Sequence, residues 1–307
     1  MRVVFDTTHN GSVGGGENYG MRFAMALDQL CDLYVVRNWH PDFIKNNGFG
    51  KEFKTYNGLF EPDMYIHCSH FVCNPMLGRR NYSVSFFPKR QLAPGEIEGV
   101  VAICDYSAVW VRNYWGRTSA VIEPCVDTNL FSSSPKELKI VSIGHFFEES
   151  DGHSKNQHVL ADAFSLSEEG YELVLIGNSN QGDESYLDKV KRSGRGKRVR
   201  VEINKDHAFI KAELASASHL WHANGYGRSD PAQTEHFGII ALEAIASGVV
   251  PIVHNSGGCR DIVGVTTWER PEDLNQLTRT VPSVCGLDRR YSVEQFNSNI
   301  EKWLVSL

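Results

Sequence analysis

Short β-branched runs alternate along this chain with stretches whose apolar residues recur at helical spacing, the pattern of parallel strands joined by covering helices. In the first half, residues 2–6 (RVVFD) predict a strand, the Gly-rich 11–16 a loop, and 17–30 (ENYGMRFAMALDQL) an amphipathic helix. Further strands are expected at 33–36, 64–67, 83–87 and 100–103, with a helix from Ser107 to Tyr114. The second half alternates more regularly, with strands at 138–143, 171–176, 198–203, 219–223 and 249–253 and helices at 156–167, 183–193, 207–215 and 237–247. The fold class is α/β, two Rossmann-like halves that are each a doubly wound parallel sheet. The Ser/Pro/Asp-rich 124–135 (PCVDTNLFSSSP) reads as a connection. Residues 291–305 form an amphipathic pattern with Phe296, Ile300, Trp303 and Leu304 on one face. The expected division is 1–132, 133–290 and a C-terminal helix at 291–307, free to cross back.

The length of 307 residues suits two domains at roughly 100–200 residues each. With 41% apolar and 22% charged residues, disorder is excluded, and a net charge of −6 speaks against a nucleic-acid partner. Seven cysteines, odd in number and without a Cys-x-x-Cys pair, predict reduced thiols rather than a disulfide framework or a zinc knuckle. The N-terminus lacks a signal-peptide core, and the most apolar stretch, 239–253, is interrupted by Glu243, so a cytoplasmic location is expected. Through residue 128 there are 12 Lys/Arg against 13 Asp/Glu, which leaves at most peripheral membrane contact. The basic run 189–200 (KVKRSGRGKRVR) could touch anionic lipid or nucleic acid, but its Gly/Ser content and its place between a helix and a strand favour a solvated loop.

Candidate chemistry concentrates in three places. Gly11, Gly14, Gly15, Gly16 and Gly20 follow the first strand and open the first helix, where a backbone can approach a phosphate at the positive end of the helix dipole. The spacing is neither a dinucleotide fingerprint nor a P-loop, so a tight turn and a ligand loop both remain open. The segment 235–253 (EHFGIIALEAIASGVVPIV) reads as loop, helix, turn and strand. In an unbroken helix Glu235 and Glu243 would lie about 80° and about 12 Å apart. Glu243 has apolar neighbours on both sides, so its carboxylate requires a polar partner such as a hydroxyl-rich ligand. Asp6 and His9 end the first strand, where open α/β sheets bind ligands, and are candidates for contacting an acceptor. The pairs His67/His70 and His219/His222 have metal-compatible spacing but no accompanying carboxylate pattern, and are read as core or loop histidines; no metal is expected.

The 235–253 segment, with Glu, seven residues, Glu, Phe-Gly after the first and a Gly-x-x-Pro turn after the second, resembles the signature of the family 4 retaining glycosyltransferases of GT-B fold. Residues 141–164 (VSIGHFFEESDGHSKNQHVLADAF) are similar to that family's phosphate-binding segment, GGGENYGMRFAMAL to its N-terminal glycine loop, 255–264 to the turn after the signature and 121–131 to its interdomain hinge. The resemblance implies transfer of a sugar from a UDP- or GDP-sugar donor to a glycan, lipid-linked or small-molecule acceptor, with retention, without a metal and with no cofactor beyond the donor. It further implies an N-terminal domain for the acceptor, a C-terminal domain for the donor and chemistry in the cleft between. Mapped here, Glu235 would meet the donor sugar and Glu243 the ribose. Phe237, Gly238 and Ile239 would offer amides to the diphosphate together with Gly144, Gly15 and Gly16, and Lys155 would stabilise the leaving diphosphate. Two positions depart from the family. Gly144 is followed by His145, a candidate catalytic residue that stands where the related branch has Arg, and SFFPK at 85–89 stands where many relatives carry a His. These departures motivate a rival reading as a weak or inactive nucleotide-sugar-binding protein. A nucleotide-sugar epimerase or hydrolase is the other alternative, and a nicotinamide oxidoreductase ranks last.

Overall fold

The computed structural model describes residues 1–9, 11, 14–47, 49–69, 77–90, 96–147, 154–281 and 286–307. They fall into two compact units, Met1–Cys125 with Arg289–Leu307, and Val126–Asp288.

The first unit holds β1 (Arg2–Thr7), α1 (Gly15–Asp28), β2 (Asp32–Val35), α2 (Pro41–Asn46), β3 (Lys54–Thr55), β4 (Met64–Ser69), β5 (Arg80–Ser85), β6 (Gly99–Ala102), α3 (Asp105–Trp115) and β7 (Ala120–Val121). The strands lie in the order β3-β2-β1-β4-β5-β6-β7, and every pairing is parallel. The sheet is covered on both faces, which is why its central strands read as nearly continuous buried runs. β5 begins three residues before the expected 83 and ends at Ser85. Ser83 and Ser85 are buried strand positions, whereas Phe86 and Phe87 leave the strand, Phe86 for the edges of His9 and Tyr19 and Phe87 for Tyr106, Trp110 and Tyr114.

The second unit runs β8 (Lys139–Ile143), α4 (Gln157–Ala163), β9 (Glu172–Gly177), α5 (Glu184–Ser193), β10 (Val199–Ile203), α6 (His207–Ser216), β11 (His219–His222), α7 (Ile239–Ala246), β12 (Val250–His254), β13 (Thr266–Trp268) and α8 (Asp273–Thr280). Its sheet has the order β10-β9-β8-β11-β12-β13, again all parallel. Residues on the two faces form separate cores: Leu173, Leu175, Trp221 and Ile252 under α4, α5 and α8, and Val141, Val174, Leu220 and Ala244 under α6 and α7. α4 stops four residues short of the expected 167, because Phe164 turns extended and packs edge-on against Trp221. β10 is an edge strand whose Arg200 binds Glu172, Glu202 and Glu213, while Lys197 donates to the carbonyls of Ala161 and Asp162. Those two cations of the basic run are thus committed to intramolecular partners.

The chain then returns to the first unit as α9 (Val293–Val305), N-capped by Ser292. Its buried Phe296 meets Tyr19 and Phe23, and Trp303 meets Phe23 and Tyr82. The described cysteines, Cys31, Cys68, Cys104, Cys125 and Cys259, are free thiols; Cys73 and Cys285 lie outside the described residues. Among the described residues no helix is long and apolar enough to cross a membrane.

Candidate functional site

In both sheets the strand order reverses beside the first strand, between β1 and β4 and between β8 and β11. At such a switch point adjacent loops diverge above the carboxyl ends of the strands and leave a crevice for ligands. The candidate residues gather at these two places.

In the second unit, β11 ends at His222 and leads through Ala223 to Asn224, and the following segment brings Glu235 to the mouth of α7. Glu235 Oε2 accepts from Lys155 Nζ at 2.8 Å and Asn224 Nδ2 at 2.8 Å, and lies 3.3 Å from His222 Nε2. Burial opposes ionisation of this carboxyl, but the Lys155 charge and the His222 and Lys155 hydrogen bonds outweigh it and hold it well below the ordinary carboxylate range. All three interactions converge on Oε2, which leaves Oε1 without a partner among the described residues.

Glu235 and Glu243 do not share one helix. Gly238 is in the left-handed conformation at φ 88°, so α7 begins after it, at Ile239, with Phe237 buried behind. A side chain at Gly238 would collide with Cys259, and one at Gly257 would land on the Glu235 carbonyl oxygen, so both glycines seat the turn after β12 against Glu235. The amides of Ile239 and Ile240 open α7 and reach no acceptor among the described residues, which leaves the positive end of the helix available to an anion. One further turn along, Glu243 makes no side-chain hydrogen bond to a described residue. Burial pushes its carboxyl up to about 7, opposed in part by the charge of Lys211, although the side chain keeps some contact with solvent.

Lys155 is fixed by its neighbours. Asn156, at φ 54°, donates to the carbonyls of Ala223 and Tyr226, and the buried Gln157 amide donates to those of Gly144 and His145 while accepting from Tyr186. Gly144 lets the Lys155 stem pass beside it, 3.0 Å from where a Cβ would stand. His145 is turned aside: its Nε2 faces Asp183 Oδ2 at 3.1 Å, and its ring stacks on Phe147 at 3.9 Å. Residues 148–153 of the segment resembling a phosphate loop lie outside the described residues.

In the first unit, Asp6 is the penultimate residue of β1, and its Oδ2 accepts from Tyr65 at 2.6 Å and lies 3.2 Å from His67 Nδ1. His67 Nε2 is 3.0 Å from Ser69 Oγ. His9 rests edge-on against Phe86, over Gly16, where any side chain would strike the imidazole. Burial, then the neighbouring His67, lowers the His9 pKa below the ordinary histidine value. Gly15 and Gly16 form the first turn of α1, where Glu17 folds its own carboxyl back towards Gly11 and Gly14. Burial raises the Glu17 pKa, with hydrogen bonds from the amides of Glu17 and Gly11 working against it.

Sequence reasoning did not single out His222 for this site, nor Asn224, Asp183, Tyr65 or His67. The available signal was their position: His222 and His67 lie at or near the carboxyl ends of switch-point strands. His219, the other member of its pair, is buried with Nε2 unpartnered, and burial lowers its pKa to about 4. His70 lies outside the described residues. Among the described residues no group of three or more His, Cys, Asp or Glu is arranged to hold a metal ion.

Residues 131–271 match the model of the family described as glycosyl transferases group 1. The GDP-Man:Man(3)GlcNAc(2)-PP-Dol alpha-1,2-mannosyltransferase of Xenopus tropicalis is 34% identical over 162 residues, 48% of this chain and 31% of that protein. A glycogen synthase of Flavobacterium johnsoniae is 31% identical over 136 residues, 43% of this chain and 26% of its own. The chain thus spans about a third or less of the length of these two curated relatives. Among solved structures, Anabaena HepE in complex with UDP-glucose superposes over 100% of both chains with a TM-score of 0.73 at 16% identity. The sucrose-phosphate synthase of Thermosynechococcus elongatus covers 98% of this chain and 94% of its own, with a TM-score of 0.64 at 14% identity. These structural likenesses establish the fold, two parallel-sheet Rossmann-like domains of GT-B type. Within that fold, residues 131–271 are similar to the glycosyl transferases group 1 family.

Proposed function

We propose that the protein is a retaining glycosyltransferase of family 4, moving a hexosyl group from a UDP- or GDP-sugar to a glycan, lipid-linked or small-molecule acceptor without a metal. The observation that carries this reading is the Glu235 carboxylate, held by Lys155, Asn224 and His222 at the entrance to α7. A carboxylate with one oxygen committed and the other open suits a sugar hydroxyl, and a helix N-terminus beside an ammonium suits a diphosphate. Lys155 is the fixed charge that would stabilise the diphosphate as the bond to the anomeric carbon breaks. Glu243, with no side-chain hydrogen bond to a described residue, is assigned to the ribose hydroxyls. The sequence likeness to enzymes that use GDP-mannose weighs towards GDP, whereas the bound ligand of the structurally similar HepE is UDP-glucose.

The test is calorimetry of UDP, GDP, ADP and TDP and their common sugar conjugates, with EDTA present. One preferred nucleotide whose binding survives the chelator, followed by a product of retained anomeric configuration, is expected. Donor binding without turnover would favour an inactive nucleotide-sugar-binding protein, the reading that His145, turned towards Asp183, also supports. No binding to any nucleotide would refute both.

A further inference from the structure

A second buried polar cluster among the described residues is in the first unit. Tyr65, His67 and Ser69 lie on β4, all at most 3% exposed, beside Asp6 at the end of the neighbouring β1. Tyr65 and His67 both address Asp6 Oδ2, at 2.6 and 3.2 Å, and His67 is held in turn by Ser69 at 3.0 Å. An Asp–His–Ser series would suit a nucleophilic hydroxyl, but Ser69 is 2% exposed and closed to a substrate. The series therefore runs outward from Ser69, each buried group fixing the next, and ends on a carboxylate that retains 15% of its side-chain surface. Oδ1 accepts no hydrogen bond from a described residue.

We propose that Asp6 is a hydroxyl-binding residue for the sugar acceptor, and that Tyr65 and His67 are its positioning residues, occupying Oδ2 so that Oδ1 is presented at the switch point between β1 and β4. The identity of the hydroxyl as the acceptor's rests on the glycosyl-transfer reading. The chemistry is general: a buried pair of donors on one carboxylate oxygen fixes the direction of the other, and a carboxylate offered in that way accepts strongly from a polyol. Burial works against ionisation of Asp6, but the hydrogen bonds from His67 and Tyr65 prevail and lower its pKa, so it is an acceptor across the neutral range.

The test is saturation-transfer NMR on the full chain at pH 7 with methyl α-D-mannopyranoside as the hydroxyl probe and UDP and GDP as separate probes of the second unit. The wild type is expected to transfer saturation to the mannoside. Asp6→Asn should weaken binding about tenfold, the worth of one charge-assisted hydrogen bond. Tyr65→Phe and His67→Phe should weaken it in the same direction, and His67→Gln, which keeps an N–H towards Asp6, should restore it. In Tyr65→Phe, a change of one atom that spares the packing, the Asp6 13Cγ titration should move to higher pH. No transfer from the wild type to the mannoside, or equal transfer in Asp6→Asn and the wild type, would overturn the proposal. Nucleotide binding should be the same in all these proteins. Its absence from the wild type would instead refute the glycosyl-transfer reading, with the mannoside results still deciding the role of Asp6.

Discussion

Lys155 Nζ lies 2.8 Å from Glu235 Oε2 across 80 residues of chain, and the two side chains are only 25% and 19% exposed. An ammonium and a carboxylate so placed stabilise one another only as a pair, because each has given up water to be there. Lys155→Met should therefore cost about 1–3 kcal/mol near neutral pH, read by urea denaturation, with Asn224 and His222 limiting the loss. The sign with pH follows from the lowered Glu235 carboxyl. Its contribution is present above the ordinary value of 4.5 and is lost as pH falls through the lower folded-state value. The wild type should thus lose its advantage over Lys155→Met in acid, and a gap that does not change with pH would refute the coupling.

Glu243 behaves in the opposite sense. With its carboxyl pushed up to about 7, the folded chain keeps a proton that the unfolded chain releases from about 4.5 upward. Stability from this group is full below 4.5 and is lost as pH rises through 7. Glu243→Gln, which cannot ionise, should be more stable than the wild type at pH 8 by about 1–3 kcal/mol, allowing for partial solvent contact, and equal to it at pH 4. Identical melting curves at pH 8 would sink this assignment.

The two glutamates should also separate functionally. Glu243→Ala is expected to abolish measurable nucleotide binding by calorimetry, whereas Glu235→Ala should bind UDP or GDP nearly as well as the wild type and lose turnover. Equal nucleotide affinity in Glu243→Ala and the wild type would remove the ribose role.

His145→Arg should raise UDP or GDP affinity, since a guanidinium offers a forked donor where an imidazole offers a single N–H. Asp183 will compete for it, because it already accepts from the His145 position and from the Asn180 amide at 2.7 Å. The double variant with Asp183→Asn should therefore bind more tightly than His145→Arg alone. Unchanged affinity in both would place this loop away from the phosphates.

Gly257→Ala should be far more damaging than Gly227→Ala. Both glycines are left-handed, at φ 65° and 72°, but only at 257 does an added methyl strike backbone, the Glu235 carbonyl. The strain of the left-handed conformation, about 1–2 kcal/mol, applies to each. Comparable melting temperatures for the two variants would show that the turn after β12 yields easily.

The helix and turn that carry Glu235 and Glu243 were legible because their signals are local, a glycine stop and β-branched residues in the next strand; the polar partner expected for Glu243 is not found among the described residues, and burial instead pushes its carboxyl up to about 7. The break at Gly238 was not, since left-handed glycine and helical glycine look the same in sequence. Four short elements escaped pattern reading, α2, β3, β7 and β13, the strands among them being two or three residues long and defined by their neighbours. α8 escaped for another reason, its polar sequence turning Leu274 and Thr278 inward. β5 was displaced because buried serines carry no hydrophobic signal, while the two phenylalanines that follow it do. The sequence pattern reads His67 and His222 as core or loop histidines, and both are buried. What made them candidates for function was a carboxylate brought beside each by the fold, Asp6 across the β1/β4 switch point, 61 residues before His67, and Glu235 in the segment entering α7, 13 residues after His222.

The return of α9 to the first unit makes the two units unequal in the order in which they can be completed. The second is one uninterrupted stretch, Val126–Asp288, and every strand of its sheet has emerged before α9 is synthesised. The first begins earlier but lacks Phe296, Ile300 and Trp303, three buried side chains each worth about 1.5–3 kcal/mol, until α9 follows the second unit. During synthesis the unit carrying Asp6 would wait with an apolar face open while the unit carrying Glu235 consolidates.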